Sequence, residues 1–167
     1  MVTYNLENLS PFDDDIRFTN FASQIVNTLR SPDILVLHEV MDNSGSVDDG
    51  KTDADKTIQK IIDAIEKKGG PKYLFSDAPP QNNQDGGVDG ANIRSVLLYR
   101  SDKGIHLEKP EQIDKSWIFR DGNFFLSGNP LRIGNHEVTY SGTRKPVLWL
   151  MEQNEKQFFV VGVHLIS

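Results

Sequence analysis

The chain contains no cysteine among its 167 residues, so disulfide bonds and thiolate metal sites are excluded. No apolar run approaches the roughly 20 residues that a membrane-spanning helix requires. Excess positive charge is also lacking, because 24 acidic residues outnumber 18 basic ones and give a net charge of −6. This balance argues against broad electrostatic capture of nucleic acid. It is compatible with a phosphate-containing substrate held through a bridging cation.

The composition is that of a globular protein, with 37% hydrophobic and 25% charged residues. Neither a linker nor an internal repeat divides the sequence, so residues 1–167 are predicted to form one domain. Met1 leads directly into a strand-like segment, and we therefore expect no signal peptide within this chain. A signal peptide that had been removed would leave no trace, so the compartment stays open.

The first 40 residues predict a strand, a helix and a second strand. Residues 2–6 alternate between apolar and polar, and apolar residues between positions 18 and 29 recur at helical spacing. Residues 34–37 then form an apolar run that is typical of a buried strand, with Glu39 at its end. This order is that of a βαβ unit, which predicts a parallel pair of strands.

The remainder predicts a second helix and several further strands. An isoleucine stripe over residues 58–65 indicates the helix, with Thr52 or Asp53 as its cap. Strands are predicted at residues 73–76, 93–99, 105–107, 117–119, 147–151 and 158–163, the last two as an antiparallel hairpin. Residues 78–91 are rich in Pro, Gly, Asn and Asp and predict a long surface loop. The acidic loop at residues 42–55 lacks the Gly and Glu that an EF-hand requires.

Four polar residues stand at or beside the predicted strand ends: Asn5, Glu39, Arg144 and His164. Together they suit phosphate-ester chemistry, because a carboxylate holds a divalent metal, Arg or Asn donates to phosphate oxygens and His exchanges protons near neutral pH. Each also has a structural explanation. Glu39 could face solvent or pair with a lysine, Asn5 could bond a neighbouring loop, Arg144 could be an exposed cation and His164 a satisfied core residue.

Five stretches of the sequence carry a more specific likeness. They are TYNLENL (residues 3–9), DILVLHEVMDN (33–43), DGGVDGANIRSVLLYR (85–100), SGTRKPVL (141–148) and FFVVGVHLIS (158–167). In this order they resemble the endonuclease/exonuclease/phosphatase superfamily, the fold of pancreatic deoxyribonuclease. The greatest similarity is to bacterial, often extracellular, nucleases of that superfamily.

The resemblance implies an α/β fold, the N-terminal part of a four-layer αββα sandwich with mixed β-sheets flanked by helices. It also implies a metal-dependent phosphodiesterase, a nuclease acting on DNA or RNA with Mg²⁺ (or Mn²⁺ or Ca²⁺). By the same resemblance Asn5 organises the site, Glu39 binds the metal and His164 is catalytic. Arg144 faces a phosphate. Two weaker matches complete the set, Glu7 as a second acidic neighbour of the metal and Arg94 as a structural residue or a contact of the substrate loop.

The chain departs from the family pattern in two respects. His38 precedes Glu39 where the family has Gln, so the hydrogen bond with which that Gln orients neighbouring loops does not carry over to this sequence. The family's later Gly-Asp-x-Asn and Ser-Asp-His segments do not occur, so the chain resembles the N-terminal half of a C-terminally truncated domain. We therefore expect impaired catalysis by this chain alone, and self-association through uncovered sheet surface.

Two other functions stay open at this point. One superfamily serves many substrates, so a phosphomonoesterase or a phospholipid headgroup hydrolase is the alternative among enzymes. The alternative from another class is a non-catalytic half-domain that binds metal or a partner.

Overall fold

The computed structural model describes residues 1–134 and 138–164, and within these ranges the chain forms two α-helices and ten strands. The helices are α1 (Asp15–Ser23), which continues as a π-helical segment (Gln24–Thr28), and α2 (Asp55–Lys67). The strands are β1 (Val2–Leu9), β2 (Ile34–Val40), β3 (Leu74–Asp77), β4 (Arg94–Tyr99), β5 (Ile105–Leu107), β6 (Trp117–Arg120), β7 (Asn123–Leu126), β8 (Leu131–Arg132), β9 (Val147–Gln153) and β10 (Lys156–Gly162).

Sheet A contains four strands in the order β1-β2-β4-β3. The β1–β2 pair is parallel, with Val2 opposite Leu35 and Asn5 opposite His38, so the prediction of a parallel pair from the βαβ pattern is confirmed. The other two pairs of this sheet are antiparallel. Sheet A is therefore mixed, and β2 is flanked on both sides by partners that bury it, as its apolar run predicts.

Sheet B contains β10, β9 and β5 in that order, with β8 also paired to β9. The β9–β10 pair is antiparallel, with Gly162 opposite Val147, and this confirms the predicted hairpin. Both strands extend further toward the turn than predicted, so only Asn154 and Glu155 lie between them. Strands β6 and β7 form a separate two-stranded sheet.

Two apolar clusters hold these layers together. The helices α1 and α2 pack on one face of sheet A, where Ile58, Ile61 and Leu35 are fully buried. The opposite face of sheet A packs against sheet B around Trp149, which is also fully buried and donates from Nε1 to Ser76 Oγ at 3.2 Å. The described chain is therefore an α/β structure with open sheets in the order helices, sheet A, sheet B, and the expected mixed strand directions occur in sheet A, whereas sheet B is antiparallel.

The start of α2 differs from the prediction. Ala54, rather than Thr52 or Asp53, is the N-cap residue, and it makes no side-chain cap bond. Asn43 takes this role from the preceding loop, because its side-chain oxygen accepts from the amide of Lys56 at 2.9 Å. A cap supplied from 13 residues away is invisible to a local sequence pattern.

The outer face of sheet B exposes apolar side chains. Phe159 and Val161 on β10 are 39% and 47% exposed, and Trp117 on the adjacent β6–β7 hairpin is 56% exposed. Strand β10 also forms the edge of its sheet within the described residues. Over those same residues, no helix has the length and apolar character needed to cross a membrane.

Candidate functional site

The site lies where the parallel strands β1 and β2 lose their regular register, between Asn5 and Leu9 on β1. Three residues there adopt left-handed backbone angles, with φ of 52° at Glu7, 57° at Asn8 and 59° at Glu39. Such angles are uncommon outside glycine, and irregular strand geometry re-aims side chains beside active sites. The local distortion turns the Glu39 carboxylate toward β1.

The Glu39 carboxylate is partly buried, with 19% of its side chain exposed. Its Oε1 accepts from Asn5 Nδ2 at 3.0 Å and lies 3.2 Å from His164 Nε2, while Oε2 accepts from the Asn8 amide at 3.1 Å. A carboxylate offers about four lone-pair positions. Three are used by these described partners, and the remaining one lies on Oε2.

His164 contacts the same carboxylate from sheet B, because it follows β10. Its second ring nitrogen, Nδ1, accepts from Arg144 Nε at 3.1 Å. A guanidinium can only donate, so Nδ1 carries the lone pair and Nε2 carries the proton that points to Glu39. Burial and then the charge of Arg144 lower the pKa of His164, against the opposing effect of Glu39, which agrees with a neutral ring at pH 7.

His38 forms the inner wall of the site. Its ring stacks on that of His164, with centroids 5.3 Å apart and planes inclined by 25°. Only 8% of His38 is exposed, and its Nδ1 lies 2.8 Å from the hydroxyl of the buried Ser95. Burial, followed by His164, lowers the pKa of His38 from 6.5 to about 4, although Glu39 acts in the opposite direction. His38 is therefore neutral at pH 7.

A buried charge cluster anchors the loop that carries Arg144. Lys145 Nζ lies 3.1 Å from Asp85, and Arg132 contacts both oxygens of the same carboxylate at 2.6 and 2.7 Å. The loop that follows Asp85 approaches so closely that a Cβ on Gly86 would lie 2.3 Å from the carbonyl oxygen of Gly142. These contacts join residues 85–86 to residues 142–145 and so position Arg144.

The structure does not bring Arg94 and Glu7 into this cluster. The side chain of Arg94 is 1% exposed and pairs with Asp77 at 3.0 Å, so it holds a structural position rather than one open to a substrate. Glu7 is exposed, and its recorded bonds involve its backbone, whose amide donates to Asn5 Oδ1 at 2.8 Å and whose carbonyl accepts from Arg17.

The Glu39 carboxylate is the group of this site that suits a divalent cation. Among residues 1–134 and 138–164, no three His, Asp or Glu side chains come together as a metal-binding group. Mg²⁺, however, is commonly bound through one or two carboxylates, with water and substrate phosphate as further ligands. The Glu39 carboxylate would be one such ligand, bound through the remaining lone-pair position on Oε2.

Three contributors to the site were not predicted as site residues. His38 contributes by stacking on the His164 ring. Ser95 could have been suspected, because it is a polar residue within the apolar strand β4. Asn8 acts through its backbone amide, for which the sequence offers no signal.

One continuous chain of contacts between sheets A and B joins the four predicted residues Asn5, Glu39, His164 and Arg144. No protein-family model matches this sequence, and no curated protein matches it.

Proposed function

We propose that this chain carries the metal-binding part of a phosphodiesterase of the endonuclease/exonuclease/phosphatase superfamily, most simply a nuclease acting on DNA or RNA. The observation that supports this proposal best is the contact of Glu39 with both Asn5 and His164. These residues are 34 and 125 positions apart from Glu39 in sequence, and they converge on one carboxylate. Arg144 extends the cluster by donating to His164.

In this proposal each side chain has a distinct task. Glu39 is the metal ligand, and a bound Mg²⁺ would supply a Lewis acid for a phosphate oxygen. Asn5 fixes the carboxylate in place by donating to Oε1. The neutral His164 carries its proton at Nε2, where it points to Glu39, and it can donate to an oxyanion once that hydrogen bond is exchanged for one to the phosphate. Arg144 uses Nε for His164, so its two terminal nitrogens can donate to a phosphate in the bidentate manner of arginine.

The fold belongs to the same proposal. The order helices, sheet A, sheet B corresponds to three layers of a four-layer αββα sandwich. The outer face of sheet B would be the place of the fourth layer. Because the β6–β7 hairpin covers only part of that face, through Phe124 against Phe159, we propose that two copies of the chain associate through the remainder, since exposed strand edges and apolar patches favour pairing.

Metal binding is the first test of the proposed function. Substoichiometric Mn²⁺ should broaden the NMR signals of His164 and the amide of Asn8, because both groups lie beside Glu39. The variant Glu39→Gln should lose this broadening, whereas the control Glu7→Gln should retain it, since the Glu7 side chain is exposed. Equal broadening in the wild type and Glu39→Gln would refute the assignment of the metal ligand.

Substrate class is tested separately with a phosphodiester, a phosphomonoester and a phosphatidylcholine vesicle, each with Mg²⁺. Because catalysis by this chain alone is expected to be impaired, the proposal expects weak cleavage of the diester, and of DNA or RNA, with loss of this residual activity in Glu39→Gln and His164→Ala. Preferred cleavage of the monoester or the lipid would favour the other enzyme classes. Binding of Mn²⁺ without any turnover would favour a non-catalytic binding module.

Self-association is tested by light scattering over a range of concentrations. Phe159→Lys on β10 should shift the chain toward the monomer, because it places a charge in the apolar face. Val47→Lys is the matched control, since Val47 is 60% exposed on a distant loop. A wild-type monomer at high concentration would contradict the proposal.

A further inference from the structure

We propose that His38 and Ser95 form a positioning pair that fixes the ring plane of His164. This inference rests on the proposed function, because it concerns the histidine of that site. It assigns a positioning role to His38, which in the proposed function neither binds the metal nor contacts the substrate. The three side chains come from different parts of the fold: His38 from β2, Ser95 from β4 and His164 from the segment after β10.

The contacts of His164 within its ring plane leave one motion unrestrained. Glu39 holds Nε2 and Arg144 holds Nδ1, so the two hydrogen bonds fix both nitrogen positions. The ring can still rock about the line that joins these two atoms, because neither bond restrains that rotation strongly. A flat surface against the ring face opposes it. The His38 ring supplies this surface, 5.3 Å away and inclined by 25°.

Ser95 holds His38 in the orientation that the stack requires. The Ser95 hydroxyl lies 2.8 Å from His38 Nδ1, and both residues are buried, with 5% and 8% exposed. A buried polar group without a partner is costly, so this bond fixes the ring strongly. The Gln of the family pattern has no aromatic face, and the stack is therefore specific to the histidine in this chain.

The test reads the His164 ring directly in the full chain labelled with ¹⁵N-histidine. At pH 7.5 the wild type should show His164 as a single neutral tautomer with the proton on Nε2, and its ring protons should carry a ring-current shift from His38. In His38→Gln we expect loss of that shift and broadening of the His164 ring-proton signals as the ring rocks, while Glu39 and Arg144 keep the tautomer unchanged. The double variant His38→Phe with Ser95→Ala restores a flat ring without an unpaired hydroxyl, and it should restore the ring-current shift and the narrow signals.

Several results would overturn the inference. His164 signals in His38→Gln that match those of the control His106→Gln would do so, because His106 is exposed on β5. Failure of the folded double variant to restore the ring-current shift and the narrow ring signals would also do so. If His38→Gln does not fold, Ser95→Ala removes only the hydroxyl, and unchanged His164 signals in that variant would contradict the role of the pair.

Kinetics provide a second reading wherever phosphodiester cleavage is measurable. A positioning residue beside a metal site affects activity about tenfold when it is replaced. We expect His38→Gln to lower kcat by that factor with KM unchanged, because substrate contacts are preserved. Absence of any cleavage by the wild type would count against the proposed function alone, since the ring spectra decide the present inference independently.

Discussion

The pH dependence of stability should reveal the buried His38. Its pKa is lowered to about 4 in the folded chain, from an ordinary value of 6.5. Well above pH 6.5 His38 is unprotonated in both the folded and the unfolded chain, so its contribution to the free energy of unfolding does not change with pH. As the pH falls below 6.5, the unfolded chain binds a proton that the folded chain excludes, and the free energy of unfolding decreases until the pH approaches 4.

The size of the effect follows from the two pKa values. At pH 4.5 the full difference in proton binding corresponds to about 2.5 kcal/mol of lost stability. We reduce this to about 1.5 kcal/mol, because the folded chain relaxes around a buried charge and lowers part of the penalty. Two titratable groups face His38, namely His164, which adds to the lowering, and Glu39, which opposes it.

Urea unfolding at pH 7.5, 5.5 and 4.5 measures the effect. The wild type should lose about 1.5 kcal/mol more than His38→Gln between the highest and lowest pH, because Gln does not titrate. Other titrating groups, including His164, are present in both proteins and largely cancel. His106→Gln, the exposed control, should follow the wild type. Equal losses in the wild type and His38→Gln would refute the conclusion that His38 is held neutral by the fold.

Two further substitutions test how the surroundings of the site are held. Asp77→Asn should lower the free energy of unfolding by about 2–3 kcal/mol, because it leaves the Arg94 guanidinium buried without its anion; a loss below about 0.5 kcal/mol in urea unfolding would contradict this. Gly86→Ala should cost clearly more than Gly122→Ala. Both positions have positive φ and share the backbone penalty of about 1 kcal/mol, but only at Gly86 would the Cβ meet a backbone carbonyl, that of Gly142 at 2.3 Å. Equal thermal stabilities of the two variants would show that the loops can separate freely.

Local periodicity carries much of the fold. The apolar run of β2 and the helical spacing of Phe18 and Ile25 are strong, short-range signals, and they predict the βαβ unit correctly. The β9–β10 hairpin is equally local. The same signals place Glu39 at the end of its strand, and the parallel pairing then brings it toward Asn5.

Long-range contacts account for what the sequence does not reveal. The left-handed backbone at Glu39 arises from an irregular pairing of strands, and glutamate itself has no preference for that angle. The partner of His38 lies 57 positions away, at Ser95. For Arg94 the sequence left a structural role and a substrate contact open, and it is the long-range pairing with Asp77 on the neighbouring strand β3 that favours the structural role.

The geometry of the site depends on the packing of the two sheets. Glu39 belongs to sheet A and His164 follows sheet B, so their 3.2 Å contact exists only when the sheets pack at the right separation. Gly162 lies two residues before His164, and a Cβ there would approach the Trp149 ring at 3.0 Å and Val36 at 3.2 Å. The absence of a side chain at this position allows β10 to lie close to β2. Because tightly packed interiors transmit small shifts, the contact between Glu39 and His164 depends on this glycine as well as on the polar residues themselves.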